Sequence, residues 1–392
     1  MGRINVSSMA SQMNNRKLKL IIVVSEDWSF WSHRLPLAMF AIKAGFEVIV
    51  VTKLNKYEKR IREMGINVIN INFRRSLNTP FIDLCNLIKL INLFRKEKPD
   101  IIHNVALKTI LIGSIAGLFT KNSIVVNAYT GLGYVFSSNQ LKAIIIQIII
   151  KPFLKLIIRK KNYWAIFQNP DDMHLFTELG LNVTKRSVLI RGSGIDINKF
   201  SKVIDKNKKP RVMLASRMLW DKGVGEFVKA AKFAREKNIE AEFIIVGDVD
   251  EDNPMSIPVP VLKKWTNSSY VDWKGYSDNM FETLSSASII CLPSYREGLP
   301  MVLLEAAAIG RPLIATDVPG CREIVKDGYN GILVKPKDVN SLYNAIFTLI
   351  HSSEIRKVMG ENGRKLVENE FSTEIVNSKI ISLYKKARNI KY

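Results

Sequence analysis

The sequence predicts an α/β protein built as two doubly wound, parallel-sheet domains in tandem. Three observations carry this. The chain has 392 residues, too many for one ordinary α/β core. Short apolar runs alternate with stretches of helical spacing along most of it. The alternation breaks once, over residues 192–210, and then resumes.

Taken in order, the first 16 residues are polar, carry no signal-peptide pattern, and are expected to be a disordered extension. Leu18–Val24 reads as a buried strand, His33–Ala44 as a helix stopped by Gly45, and Phe46–Thr52 as the next strand. Asn67–Asn72, Asp100–His103, Ser123–Ala128, Tyr163–Phe167 and Ser187–Arg191 continue the strand series to residue 191. Residues 192–210 hold two glycines, a run rich in Lys, Asp and Asn, and a proline, which predicts an interdomain linker. Arg211–Ser216 restarts the pattern. Val224, Phe227, Val228, Ala231 and Ala234 recur at helical spacing. Phe243–Gly247, Ile289–Pro293, Pro312–Thr316 and Gly331–Val334 are strands of a second domain spanning 211–372. Thr373–Tyr392 reads as a terminal helix, expected to pack back on the N-terminal domain over 17–191.

Hydrophobic content of 47% excludes a mostly disordered chain. Cys85, Cys291 and Cys321 are far apart, which excludes a disulfide scaffold or zinc ribbon and fits a reducing, cytoplasmic compartment. The net charge of +22 is unevenly spread. Residues 1–200 carry 29 Lys/Arg against 12 Asp/Glu (+17), and residues 201–392 carry 29 against 24 (+5). No acid lies between Asp100 and Asp171, where eight basic residues occur. The N-terminal half therefore suits an anionic membrane surface, a phosphate-bearing substrate or nucleic acid.

The segment with most chemical content is Pro293-Ser-Tyr-Arg-Glu-Gly-Leu-Pro-Met-Val-Leu-Leu-Glu305-Ala-Ala-Ala-Ile-Gly310. A strand leads to a glycine-containing loop, then to a helix with Pro300 at its start and Gly310 at its stop. Such a turn aims backbone N–H groups and the positive helix end at one point, a seat for a diphosphate. Gly298 is the glycine of that turn, Met301 and Val302 open the helix, and Glu297 and Glu305 could accept hydrogen bonds from sugar hydroxyls. In Ser216-Arg-Met-Leu-Trp-Asp-Lys-Gly223, Arg217 and Lys222 follow a strand end, where open α/β sheets bind ligands. Two fixed cations there would neutralise charge on a departing diphosphate. There is no His-Glu-x-x-His, and only His33, His103, His174 and His351 occur, so no metal site is expected.

SRMLWDKG, WKGYSDNM, PSYREGLPMVLLEAAAIGRPLIATDVPGCREIV and NGILVKPKD together resemble the C-terminal domain of family 4 retaining glycosyltransferases of the GT-B fold. The resemblance covers residues 211–372. In the N-terminal half, HRLPLA, PDIIH and NAYTGLGYVF resemble the bacterial subgroup that extends polyprenyl-diphosphate-linked glycans of O-antigen, capsule or N-glycans. It implies a GT-B pair of Rossmann-like domains. It also implies that Arg217 and Lys222 bind the donor diphosphate, Glu297 the donor sugar and Glu305 the ribose, with Gly298 and Leu299 lining the site and Tyr276 near the base. Many relatives place a histidine in the cleft where Tyr129 stands here, and His103 is the candidate substitute. His33 and Arg34 are candidates for the acceptor diphosphate, beside Tyr129.

The expected reaction moves a hexose or N-acetylhexosamine, best read as GalNAc or GlcNAc from a UDP-sugar, onto an undecaprenyl-diphosphate-linked saccharide with retention and without metal or cofactor. Leu141–Lys161 is apolar, basic and acid-free, but Lys151 and Pro152 interrupt it, so it falls short of a bilayer span. A pair of in-plane interfacial helices suits it, with Lys142, Lys151, Lys155, Arg159, Lys160 and Lys161 drawn to anionic lipid on the inner face of the plasma membrane. Two alternatives stand beside this reading. A GT-B UDP-sugar epimerase would act without acceptor. A basic nucleic-acid-binding protein would interleave aromatics with its cations, whereas here Ile and Leu do so.

Overall fold

The computed structural model describes residues 16–74, 79–130, 141–181, 186–251 and 253–389, without the side chains of 141–143 and 145. The expected disordered extension thus lies almost wholly outside the described residues.

The chain forms two compact units. One comprises the chain up to Phe167, Leu175–Val188 and Asn377 onward; the other comprises Gln168–His174 and Leu189–Val376. In the first unit β1 (Lys19–Glu26) leads into α1 (Asp27–His33) and α2 (Leu35–Lys43), then β2 (Glu47–Lys53), α3 (Glu58–Glu63) and β3 (Asn67–Asn70). There follow α4 (Pro80–Glu97), β4 (Ile101–Val105), α5 (Leu107–Gly117), β5 (Ile124–Tyr129), α6 (Leu141–Arg159), β6 (Tyr163–Phe167), α7 (Pro170–Glu178) and β7 (Ser187–Leu189). Seven strands make one sheet in the order β3-β2-β1-β4-β5-β6-β7. The β1–β2, β1–β4, β4–β5 and β5–β6 ladders are parallel. Because helices cover both faces, the central strand β1 is apolar and buried along Leu20–Val24, with at most 1% exposure.

Two expectations change here. The single helix over 33–44 is two, because α1 ends at His33 and Arg34 adopts a non-helical φ of −123° between them. The pair of interfacial helices is one continuous helix, α6, with Pro152 inside it. No described helix is long and apolar enough to cross a membrane.

The second unit carries β8 (Arg211–Ala215), α8 (Val224–Glu236), β9 (Glu242–Val246), α9 (Val259–Asn267), β10 (Asp272–Trp273), α10 (Met280–Ser285) and β11 (Ile289–Leu292). It continues with α11 (Met301–Ala308), β12 (Leu313–Thr316), α12 (Cys321–Ile324), β13 (Gly331–Val334), α13 (Val339–His351) and α14 (Ser353–Leu366). Its six strands run in the order β10-β9-β8-β11-β12-β13. Two buried clusters lie against this sheet, one around Phe227, Phe243 and Leu349, the other around Leu304, Leu313 and Phe371. Residues 192–210, expected as a free linker, are pinned to this unit. Ile195 pairs with Ser372, Val203 N–H donates to Ile309 O at 3.0 Å, and Asn207 Nδ2 donates to Ser286 O at 2.9 Å. The terminal helix α15 (Thr373–Asn389) starts in the second unit and belongs to the first from Asn377.

Candidate functional site: a diphosphate cradle at the end of β8 and β11

The strand order of the second sheet reverses between β8 and β11. Open α/β sheets present ligand sites at the carboxyl ends of such strands. The two loops found in the sequence leave from these ends. After β8 the chain makes one tight turn at Trp220–Lys222 and closes it at Gly223 with φ of 71°. A Cβ at Gly223 would stand 2.1 Å from the Pro293 carbonyl oxygen, so only glycine lets the two loops meet. Tyr295 N–H donates to Asp221 O at 2.8 Å across the same junction.

This contact brings the charged residues together. Lys222 Nζ lies 2.6 Å from Glu297 Oε1, with side-chain exposures of 18% and 11%. Arg217 Nη1 lies 2.5 Å from Asp250 Oδ2 and is more exposed. Both cations are therefore ion-paired, and a bound diphosphate would share them with these carboxylates.

α11 begins after Pro300 with no side-chain cap and no acid in its first turn. Its positive end is open to an anion. Gly298 and Leu299 lie on the approach to it. Gly320 makes the close packing behind them possible, because a Cβ there would stand 2.3 Å from Gly298 O. Leu299 packs against Gly192, and the Ser193 hydroxyl donates to Met301 Sδ at 3.5 Å. Val302 packs on the core beneath. Glu305, one turn on, accepts no hydrogen bond from a described side chain; burial pushes its pKa up to about 7, opposed by Lys199.

The loop has a second support that sequence reasoning missed. Asn169, wholly buried, donates from Nδ2 to Gly298 O at 3.2 Å and to Asp172 Oδ2 at 3.1 Å. Its Oδ1 accepts Asp172 N–H at 2.8 Å, the capping pattern of a helix start. Asp172 Oδ1 lies 3.7 Å from Arg296 Nη2. Residues on both sides of Glu297 are thus held by one bracket. Asn169-Pro170 before an acidic turn is a helix-start signal, but nothing local ties it to residues 296–298. Tyr295 Oη donates to Glu226 Oε1 at 2.7 Å and anchors the other end of the loop.

The remaining expected residues lie elsewhere. Tyr276 is exposed after β10, beside a groove that Arg211, Ile244 and Thr283 also line. In the first unit His33 is partly buried and its pKa falls to about 4, through burial and then the Arg34 charge. Arg34 is 4% exposed. His103 and Tyr129, expected at substrate contacts, are core residues. His103 sits mid-strand in β4, fully buried, with the Tyr384 hydroxyl 2.7 Å from Nδ1, so it reaches no reacting sugar. Tyr129 is 2% exposed and stacks on Phe167 at 5.1 Å. Lys151, Lys155, Arg159, Lys160 and Lys161 are exposed on or just after α6; the side chain of Lys142 lies outside the described residues. Among the described residues, no cluster of His, Cys, Asp and Glu has the makings of a metal site.

Known protein families match both units of the chain. The family model of glycosyl transferases group 1 matches residues 196–366, and the glycosyl transferase 4-like model matches residues 19–166. A Campylobacter jejuni protein described as N,N'-diacetylbacillosaminyl-diphospho-undecaprenol alpha-1,3-N-acetylgalactosaminyltransferase is 28% identical over 91% of this chain and 95% of its own. An Escherichia coli UDP-Gal:alpha-D-GlcNAc-diphosphoundecaprenol alpha-1,3-galactosyltransferase is 28% identical over 77% of this chain and 79% of its own. The crystal structure of Anabaena Alr3699/HepE in complex with UDP shares the fold with a TM-score of 0.73 at 16% identity, covering 94% of this chain and all of that one (100%). With both units matched by glycosyltransferase models, the chain belongs to the family 4 glycosyltransferases of the GT-B fold.

Proposed function

We propose that this enzyme transfers an N-acetylhexosamine or hexose, GalNAc foremost, from a UDP-sugar to a saccharide carried on undecaprenyl diphosphate, with retention of configuration. The Lys222–Glu297 pair beside an uncapped helix start is the observation that carries the donor half of this reading. The diphosphate takes the first-turn N–H groups of α11 together with Gly298 and Leu299 N–H. Lys222 and Arg217 balance the charge that develops as the glycosidic bond breaks, so the reaction needs no metal or cofactor. Glu297 meets the sugar hydroxyls and Glu305 the ribose. The acceptor half draws on the descriptions of the Campylobacter and Escherichia relatives.

A membrane surface on the inner face of the plasma membrane would bring the lipid-linked acceptor to the enzyme. α6 exposes Ile148 (67%), Ile149 (58%) and Leu156 (50%) among its lysines, and α4 exposes Phe81 (85%). α5 packs against both helices, so the two stripes flank it. Apolar side chains bordered by cations and no exposed acid on α6 suit an anionic bilayer. The test of the whole reading is a donor screen against synthetic lipid-diphosphate saccharides with anomeric analysis of the product. Transfer with retention is expected. Epimerisation of the UDP-sugar in the absence of acceptor, with no transfer, would refute it.

A further inference from the structure

The first sheet also reverses its strand order, between β1 and β4. Arg34 lies past the end of β1, and His103 lies in β4 opposite Ile22. Arg34 is 4% exposed, yet its guanidinium makes no hydrogen bond or ion pair with any described residue, and Nε is buried without a partner. No carboxylate answers the charge. Asp27 Oδ2 accepts the N–H groups of Asn55 and Tyr57 at 2.7 and 2.9 Å, and Glu26 faces Asn55 and Lys53. The residues of this unit outside the described set contain no Asp or Glu. Burial lowers the Arg34 pKa to about 10, opposed only by Tyr384, so the group stays charged at neutral pH.

Behind it, His103 is wholly buried. Its Nδ1 meets the Tyr384 hydroxyl at 2.7 Å, and its Nε2 has no partner. The Arg34 guanidinium can only donate hydrogen bonds. A largely buried cation without a counter-ion is costly, and a group that only donates calls for an acceptor-only anion. The planar fork of arginine matches phosphate oxygens.

We propose that Arg34 forms a seat for a phosphate-bearing anion in the first unit, distinct from the donor cradle. On the reading that the acceptor is a lipid diphosphate, its occupant is the acceptor's diphosphate; that second step rests on the proposed function, whereas the seat does not.

The test uses the full chain with UDP held at saturation, so that the donor cradle is filled, and inorganic pyrophosphate as the probe. Pyrophosphate is expected to raise the melting temperature of the wild type and to leave Arg34→Met unmoved. Without pyrophosphate, Arg34→Met is expected to melt at or above the wild type, because it removes an unpaired buried charge. Arg34→Lys keeps charge but loses the fork, and is expected to need about 10-fold or more pyrophosphate for the same protection. Competition with a lipid-diphosphate saccharide identifies the occupant. If pyrophosphate raises the acceptor KM in the wild type and not in Arg34→Met, the seat holds the acceptor. If it protects without competing, the seat stands as a site for free phosphate and the acceptor assignment falls. Equal protection of wild type and Arg34→Met, or an Arg34→Met protein that melts far lower or fails to fold, overturns the proposal. Absence of transfer with every acceptor, alongside intact protection, refutes the proposed function and leaves the seat.

Discussion

Replacing Lys222 with methionine separates what the Lys222–Glu297 pair does for the fold from what it does for the reaction. At an effective dielectric of about 20, charges 2.6 Å apart attract by about 6 kcal/mol. Desolvation of two groups exposed by only 18% and 11% offsets much of that. Losing one partner strands a largely buried carboxylate, and a destabilisation of about 3 kcal/mol is expected for Lys222→Met. Adding Glu297→Gln removes the stranded charge, so the double variant should recover about 1–2 kcal/mol of that loss in urea unfolding. Activity should behave differently. Removing a cation that stabilises the leaving diphosphate is expected to cost about 100- to 1,000-fold in kcat/KM, and the double variant should recover none of it. A Lys222→Met enzyme within tenfold of wild type under conditions where it is folded would refute the assignment. So would a double variant whose turnover returns along with its stability.

Three other outcomes follow from the same geometry. Asn169→Ser keeps a capping oxygen for Asp172 N–H but is too short to reach Gly298 O, so UDP affinity should fall about tenfold while uridine affinity is unchanged; equal loss for both ligands would mean a general structural role. The Glu305 carboxyl, raised to about 7 from 4.5, is protonated below that value in the free enzyme. UDP affinity should therefore rise as pH increases from about 6 to 8 and flatten in Glu305→Gln, as titration calorimetry would read. The same shift works the other way for stability: with the folded pKa above the unfolded one, this residue's contribution is full below about 4.5 and is lost as pH rises through about 7. Ile148→Glu with Ile149→Glu should abolish flotation with vesicles containing anionic lipid and leave UDP binding intact; undiminished flotation would exclude α6 as the contact.

The loops after β8 and β11 were legible because their signals are local. Pro300 and Gly310 bracket α11 almost as read, although Pro300 stands one place before the helix as its N-cap. The strand ahead of Arg217 ends where apolar character stops. What stayed hidden depends on contacts distant in sequence or on burial from both sides. Asn169 lies 129 residues from Gly298, so its bracket exists only in three dimensions. β10 has two residues, too few for any period to show. His103 and Tyr129 sit in strands buried on both faces, where no alternation tells which way a side chain points. The 192–210 stretch has a linker's composition, yet Arg364 donates to Phe200 O at 2.6 Å and ties it down. Pro152 suggested a break in α6, but proline removes one helical hydrogen bond and can be carried within a helix.

The most direct measurement is a crystal structure of the enzyme soaked with UDP. The account predicts the β-phosphate against the first turn of α11, within hydrogen-bond reach of Leu299 or Met301 N–H and of Lys222 Nζ, with the ribose on Glu305. Density for the diphosphate away from both Lys222 and the α11 start, at full occupancy, would contradict it.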